Sequence, residues 1–371
     1  MDLVFNSIIS LVMSIILSLG SFFGMLFETA QPPVGHNEIK NVIYLIGDGM
    51  GFNHLEKTIS ERGIALTMDT FPIQGSSMTC SLSAAVTDSA AGGTALATGV
   101  RTGNGMIGVY YDDSYMVKSY PKNILELCQE KGMMTGVVTT DETSGATPAS
   151  FSAHSFSRGN VADISADQLK SDIDLIWGKA VSTVTKSDAE ANGYTYISTY
   201  DEMMALPEGS RSFGQFVNSL WVLEPKASTP NLSQMAVKAV DILDDTEEGF
   251  FLMIEGAHID KHSHNNDSSE MTEALAEFDL TVKAMLDYAV KDGETLVVVT
   301  ADHETGAITK KDNEYVFTSD SHSGVDVPLL VYGSDTLITD GQTVNNYEIP
   351  IRIARELGFS ETEFPVSVSV E

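Results

Sequence analysis

The chain has 371 residues, 52 of them acidic against 21 basic, which gives a formal net charge of −31. That length allows a substantial core in one large α/β domain or two smaller ones. So acidic a surface repels nucleic acid, which is excluded as a specific partner, and any anionic substrate would need local cations in order to bind.

Residues 3–27 contain no charged side chain. The length suits a bilayer span or the apolar part of a secretory signal, although Asp2 stands where a basic start is usual. Residues 1–35 are therefore read as a signal peptide or N-terminal membrane anchor plus linker, and the protein as extracytoplasmic: secreted, periplasmic or anchored at the outer face of the cell membrane. From residue 36 to 371 the pattern alternates strand and helix as a single domain. Strands are predicted over 42–46, 75–80, 135–139, 250–254, 296–299 and 328–332, and helices over 88–98, 123–131, 163–177, 232–243, 270–290 and 347–357. The span 182–230 is polar and has no clear period. The fold class expected is α/β, a three-layer sandwich with a central, largely parallel sheet flanked by helices. Cys80 falls in a predicted strand and Cys128 in a predicted helix, so two separate buried thiols are expected, and a disulfide is not implied.

Three apolar runs end in carboxylates: 42–46 before Gly47-Asp48-Gly49, 250–254 before Glu255, and 296–299 before Thr300-Ala301-Asp302-His303. Ligands of a parallel sheet sit at the carboxyl ends of its strands, so these acids should meet along one edge. Just after Glu255, Asp260 and His264 stand at i and i+4, on one side of a helical turn. Such a pair is usually a surface ion pair. Here it has Glu255, Asp302-His303 and His322 for company, and carboxylates mixed with imidazoles suit zinc and magnesium. The remaining isolated histidines, His36, His54 and His154, are read as ordinary.

Thr87-Asp88-Ser89-Ala90-Ala91-Gly92-Gly93 reads first as a capped helix start. A serine in the first turn also sits at the positive end of the helix dipole, which favours an alkoxide and an incoming phosphate, and the small residues after it would allow close approach to metals. Ala146-Thr147-Pro148-Ala149 puts a hydroxyl at a helix entry, with Arg158 about three turns on if that helix continued. Arg158 is either a solvated surface residue or a bidentate clamp for two phosphoryl oxygens.

Together, Ile46-Gly47-Asp48-Gly49-Met50-Gly51, Thr87-Asp88-Ser89-Ala90-Ala91, Ala146-Thr147-Pro148-Ala149, Glu255-Gly256-Ala257-His258-Ile259-Asp260, His264-Asn265-Asn266-Asp267, Thr300-Ala301-Asp302-His303-Glu304-Thr305-Gly306 and Ser321-His322-Ser323-Gly324 resemble the alkaline phosphatase family, in the family's order and over about residues 41–333. The resemblance implies an alkaline phosphatase catalytic domain that hydrolyses small-molecule phosphate monoesters through a phosphoserine, with two Zn2+ and one Mg2+. It makes Ser89 the nucleophile and Arg158 the phosphate clamp. Asp260, His264 and His322 would hold one zinc, and Asp302 and His303 the second, with Asp48 shared between that zinc and the magnesium. Thr147 and Glu255 would complete the protein ligands of the magnesium, and Lys261 would tune phosphate release through water. Sulfatases of related fold carry Cys or Ser followed by x-Pro-x-Arg, which the residues after Ser89 lack. Three departures stand out. Gly145 occupies a place where relatives often have aspartate or histidine, which implies a looser magnesium shell. Only eighteen residues separate His303 from His322, so the capping insertion of longer members is absent and a homodimer stays an open expectation. Lys261 lies where the family varies.

Overall fold

Apolar runs without polar alternation cannot present a wet face, and here they form the buried centre of the molecule. The computed structural model describes residues 38–111, 117–218, 220–225 and 228–369. The apolar 3–27 segment lies outside the described residues, and among those described no helix is long and apolar enough to cross a membrane. The main sheet has ten strands: β1 (Asn41–Ile46), β2 (Ile73–Met78), β3 (Met134–Glu142), β4 (Leu175–Lys179), β5 (Thr195–Ile197), β6 (Ser212–Phe216), β7 (Phe250–Glu255), β8 (Thr295–Thr300), β9 (Val327–Tyr332) and β10 (Thr343–Asn345). Their order is β10-β2-β9-β8-β1-β7-β3-β4-β6-β5. From β8 to β5 every neighbouring pair is parallel, and β9 runs against both β8 and β2.

Alternation along the central strands divides the core between two helical layers. Val42, Tyr44, Ile46, Phe251, Met253, Leu296 and Val298 join one buried cluster with Leu96 of helix Ser89–Thr98, Ile124 and Leu125 of Ile124–Glu130, and Ile349 and Ile353 of Glu348–Glu356. Ile43, Leu45, Leu252, Ile254, Val297 and Val299 are equally buried. Gly136 shows what covers that second face, because a Cβ there would meet both Leu252 and Leu243 of helix Leu232–Leu243. Helix Ser268–Asp292 packs beside Leu232–Leu243. The result is the expected three-layer α/β sandwich around a largely parallel sheet.

Register is what matters for function. Ile46 is level with Thr300 on one side and Glu255 on the other, and Glu255 is level with Thr139 of β3. The chain segments leaving these four strands therefore emerge side by side, about 4.8 Å apart.

The structure corrects several sequence expectations. The helix predicted over 163–177 is Val161–Lys170 followed by strand β4. Its end is Ser171, extended at ψ 158, and the Leu175-Ile176-Trp177 run is an inner strand buried on both faces. The unassigned 182–230 span contains β5 and β6. Helix Phe52–Arg62 was not expected at all. Cys80 lies past the end of β2 and accepts a contact from Arg101 Nη1 at 3.2 Å, while Cys128 is buried in a helix; both thiols are free.

Candidate metal centre

The short helix His258–His264 follows β7 directly and carries Asp260 and His264 on one side. His322 comes from the two-residue strand His322–Ser323, which pairs with Glu304–Thr305. His264 Nε2 lies 3.1 Å from His322 Nε2, and Asp260 Oδ1 lies 3.3 Å from the first and 3.6 Å from the second. The other ring nitrogens settle the tautomers. His264 Nδ1 faces the Asp320 carbonyl at 2.6 Å and His322 Nδ1 faces the Thr87 carbonyl at 3.0 Å. A carbonyl only accepts, so each Nδ1 carries a hydrogen, and each ring turns its Nε2 toward the other and toward a carboxylate. A metal cation seated among them would take an Nε2 from each ring and an oxygen from Asp260. A tetrahedral zinc with ligands at 2.0–2.1 Å has donor–donor edges of about 3.3 Å, which matches these separations.

The second triad is deeper. Asp302 and His303 follow β8 and Asp48 follows β1, and all three are buried. His303 Nε2 lies 3.5 Å from Asp48 Oδ1 and 3.4 Å from Asp302 Oδ2. The Thr305 hydroxyl donates to Asp260 Oδ1, so at 3.2 Å it accepts from His303 Nδ1, and the Nε2 lone pair again points at carboxylates. Asp302 Oδ1 accepts from the backbone N–H groups of Gly49 and His303, at 3.2 and 3.0 Å. Asp302 Oδ2 and Asp48 Oδ1 are buried with no hydrogen-bond partner. Burial raises the pKa of both acids, and the charges of Asp302, Asp260 and Glu255 raise Asp48 further. Burial also pushes His303 down to about 3, so its ring is neutral and ready to ligate.

Beside this triad stands an oxygen-only group. Glu255 at the tip of β7 is buried, and burial followed by the charge of Asp141 lifts it to about 8. Thr139 donates its hydroxyl to Glu255 Oε2. Thr147, in the short helix Ala146–Ser150, is buried with its Oγ1 unpartnered. Asp48, Glu255 and Thr147 offer hard oxygens, the donor type of magnesium.

Helix Ser89–Thr98 is wedged against these groups. A Cβ on Gly92 would lie 2.8 Å from the Asp302 carbonyl oxygen, and one on Gly93 would lie 2.9 Å from Ser150 Oγ and 3.3 Å from Thr147 Cα. Asp88 caps the helix by accepting from Ala91 N–H, and Ser89 in its first turn places Oγ 3.1 Å from His303 Nε2. Arg158 does not continue the Ala146–Ser150 helix as its spacing suggested. It sits in a later turn, its N–H bonded to the Gly105 carbonyl at 2.7 Å and its guanidinium 3.1 Å from Asp88 Oδ2, one residue from Ser89. Lys261 donates to Asp141 Oδ1. Of the histidines read as ordinary, His54 is buried against Ser263 and His154 pairs with Glu126 and the Gly108 carbonyl; His36 lies outside the described residues.

Sequence reasoning missed Asp141, Thr305 and Thr139. Asp141 follows the apolar Val137-Val138 pair of β3, so it repeats the carboxylate-after-strand pattern that marked the other three acids.

A sequence model of the alkaline phosphatase family matches residues 39–186 and 178–320. The chain belongs to the alkaline phosphatase family. It is 34% identical over 302 residues to alkaline phosphatase 4 of Bacillus subtilis, an alignment that covers 73% of this chain and 63% of that protein. Against the alkaline phosphatase of Escherichia coli it is 31% identical over 334 residues, with 71% and 70% of the two chains covered. Among solved structures, a variant of the alkaline phosphatase of the Antarctic bacterium TAB5 with magnesium bound in its M3 site superposes with a TM-score of 0.74 at 30% identity, covering 88% of this chain and 100% of that one. The match to that fold thus covers 88% of this chain, while this chain spans less than two thirds of the length of the Bacillus relative.

Proposed function

We propose that this alkaline phosphatase family member hydrolyses phosphate monoesters to an alcohol and inorganic phosphate through a phosphoserine at Ser89, in a centre for two zinc ions and one magnesium. Residues 36–371 form the catalytic domain. The observation that carries this reading is Ser89 Oγ at a helix N-terminus, 3.1 Å from the neutral His303 Nε2 and beside two triads whose lone pairs converge. Asp260, His264 and His322 hold one zinc; Asp302, His303 and Asp48 hold the other; and Asp48, Thr147 and Glu255 hold magnesium, the ion that the TAB5 variant binds. When bound, these cations supply Lewis-acid stabilisation of the attacking and leaving oxygens and offset the charge of the phosphoryl group.

The residues of the chain do the rest. Ser89 attacks phosphorus, its Oγ–P bond forming as the ester P–O bond breaks, and the alcohol departs with the serine proton. Water then cleaves the phosphoserine, so one water is consumed for each phosphate released. The dipole of helix Ser89–Thr98 favours both the alkoxide and the phosphate, and Arg158, held by Asp88 beside the nucleophile, grips two phosphoryl oxygens. Lys261 supplies a further cation at the rim. Residues 1–35 direct the protein out of the cytoplasm as a cleaved signal or a retained anchor, which fractionation with terminal sequencing decides; an intact chain in the soluble cytoplasm contradicts it.

The test of the enzymatic reading is turnover of p-nitrophenyl phosphate and bis-p-nitrophenyl phosphate by purified protein, together with its zinc and magnesium content by elemental analysis. A monoester rate far above the diester rate, with metal present, is expected. A metal-loaded protein that turns over neither ester refutes it.

A further inference from the structure

Position 145 holds a glycine for reasons of space. Its φ of −54 is open to any residue, so the backbone does not demand glycine. A Cβ there, however, would lie 2.5 Å from Asp141 Oδ2, 3.0 Å from Asp141 Cγ and 3.0 Å from the Glu142 carbonyl oxygen. The space beside Gly145 is filled by the carboxylate of Asp141, four residues earlier in the chain. Asp141 lies at the end of β3, where its backbone N–H donates to Thr139 Oγ1 at 2.8 Å, and the same Thr139 hydroxyl donates to Glu255. Its other oxygen, Oδ1, accepts from Lys261.

The contact with Lys261 has a consequence for the metal ligands. The carboxylates whose charges act on the Lys261 ammonium are Asp141, then Glu255 and Asp48. The last two belong to the proposed magnesium group. Freed from Asp141, the ammonium would turn to them and compete with a divalent cation for the same oxygens. We propose that Asp141 is a positioning residue that replaces, from the end of β3 four residues earlier, the carboxylate absent at position 145, keeping Lys261 at the rim and off Glu255 and Asp48. This rests on the phosphatase reading given above.

The experiment compares the full-length parent with Asp141→Asn, Asp141→Ala, Gly145→Asp and the Asp141→Ala/Gly145→Asp pair, each loaded with zinc. Magnesium affinity is read by calorimetry, and KM and kcat are read separately. Asp141→Asn keeps the shape and removes the charge, and it should weaken magnesium binding about tenfold, the usual effect of losing a partner around a metal's ligands. Gly145→Asp alone should also weaken it, because two carboxylates are forced into one space. The double variant should recover, binding magnesium more tightly than either single alanine or aspartate variant, a non-additivity that two independent structural defects would not produce. Asp141→Asn with the parent's magnesium affinity and KM overturns the proposal. So does a folded, zinc-loaded double variant that binds magnesium no better than Asp141→Ala; if the double variant does not fold, Asp141→Asn decides alone. A parent that lacks turnover while Asp141→Asn still loses magnesium would undo the phosphatase reading and leave the role of Asp141 standing.

Discussion

Gly92→Ala is the sharpest test of how the helix carrying the proposed nucleophile, Ser89, is seated. On an exposed helix this change would stabilise by about 1 kcal/mol through helix propensity. Helix Ser89–Thr98 is buried along its whole length, and the new Cβ would stand 2.8 Å from the Asp302 carbonyl oxygen and 3.1 Å from Asp302 Cβ. A backbone carbonyl at a strand tip cannot rotate away, so relief requires the helix to back off by about half an ångström to reach ordinary van der Waals separation. Ser89 lies one turn earlier on the same rigid element, and its Oγ is 3.1 Å from His303, the residue after Asp302. The displacement is therefore delivered to the proposed nucleophile. With a misplacement of about 1 Å costing ~100-fold, half of that should lower kcat about tenfold. Overpacking of ~1–3 kcal/mol, less the propensity gain, should lower Tm by a few degrees at most. The assay is kcat on p-nitrophenyl phosphate with zinc content and Tm measured on the same preparations. Gly93→Ala is the internal comparison: its nearest obstacle, Ser150 Oγ at 2.9 Å, is the tip of a side chain, so its loss should be smaller. A Gly92→Ala protein with the parent's kcat and Tm would refute the close seating of this helix on the edge that carries Asp302 and His303.

Ser89→Ala should abolish most monoesterase activity without loss of zinc, and activity within about tenfold of the parent, or ~1.4 kcal/mol in barrier height, would remove Ser89 from the nucleophile role. Arg158→Ala should cost about 3 kcal/mol in kcat/KM and weaken inhibition by inorganic phosphate; unchanged phosphate inhibition would mean that Arg158 is no clamp. Chelation should make stability fall with pH. Glu255 is raised from 4.5 to about 8, so across that window the folded, metal-free protein binds more protons than the unfolded chain, and its stability is lost as pH rises through 8. Differential scanning calorimetry of chelated and metal-loaded protein from pH 5 to 9 should show Tm declining more steeply in the chelated form, with Glu255→Gln flattening the decline; parallel curves would contradict it.

Much of the fold was legible because burial on both faces writes itself into short, uninterrupted apolar runs. Val42 to Ile46, Phe250 to Ile254 and Leu296 to Val299 could be nothing but inner strands, and the acid following each had to emerge at a common edge. The same logic failed at Leu175 to Trp177, where three apolar residues directly after a helical period were absorbed into it. What ends that helix is the extended backbone of Ser171, a conformation that serine does not announce. The edge strand β5 and its inner neighbour β6 are short and carry polar residues, so neither period was visible across 182–230.

At the candidate metal centre the division is of another kind. Residue types and spacing name the donors but not the direction of their lone pairs. Which nitrogen of His264 and of His322 faces inward depends on the backbone carbonyls of Asp320 and Thr87, and a carbonyl is common to every residue. His303 is oriented instead by the Thr305 hydroxyl, two residues along the same motif, which a reading of the sequence could have found. The Asp141 contact shows the limit from the other side. Position 145 reads as a missing side chain in the sequence, and in three dimensions its place is taken by Asp141, four residues earlier at the end of β3. A gap in a motif is thus evidence about one position in the chain and not about the space around it. Only packing tells whether that space is empty.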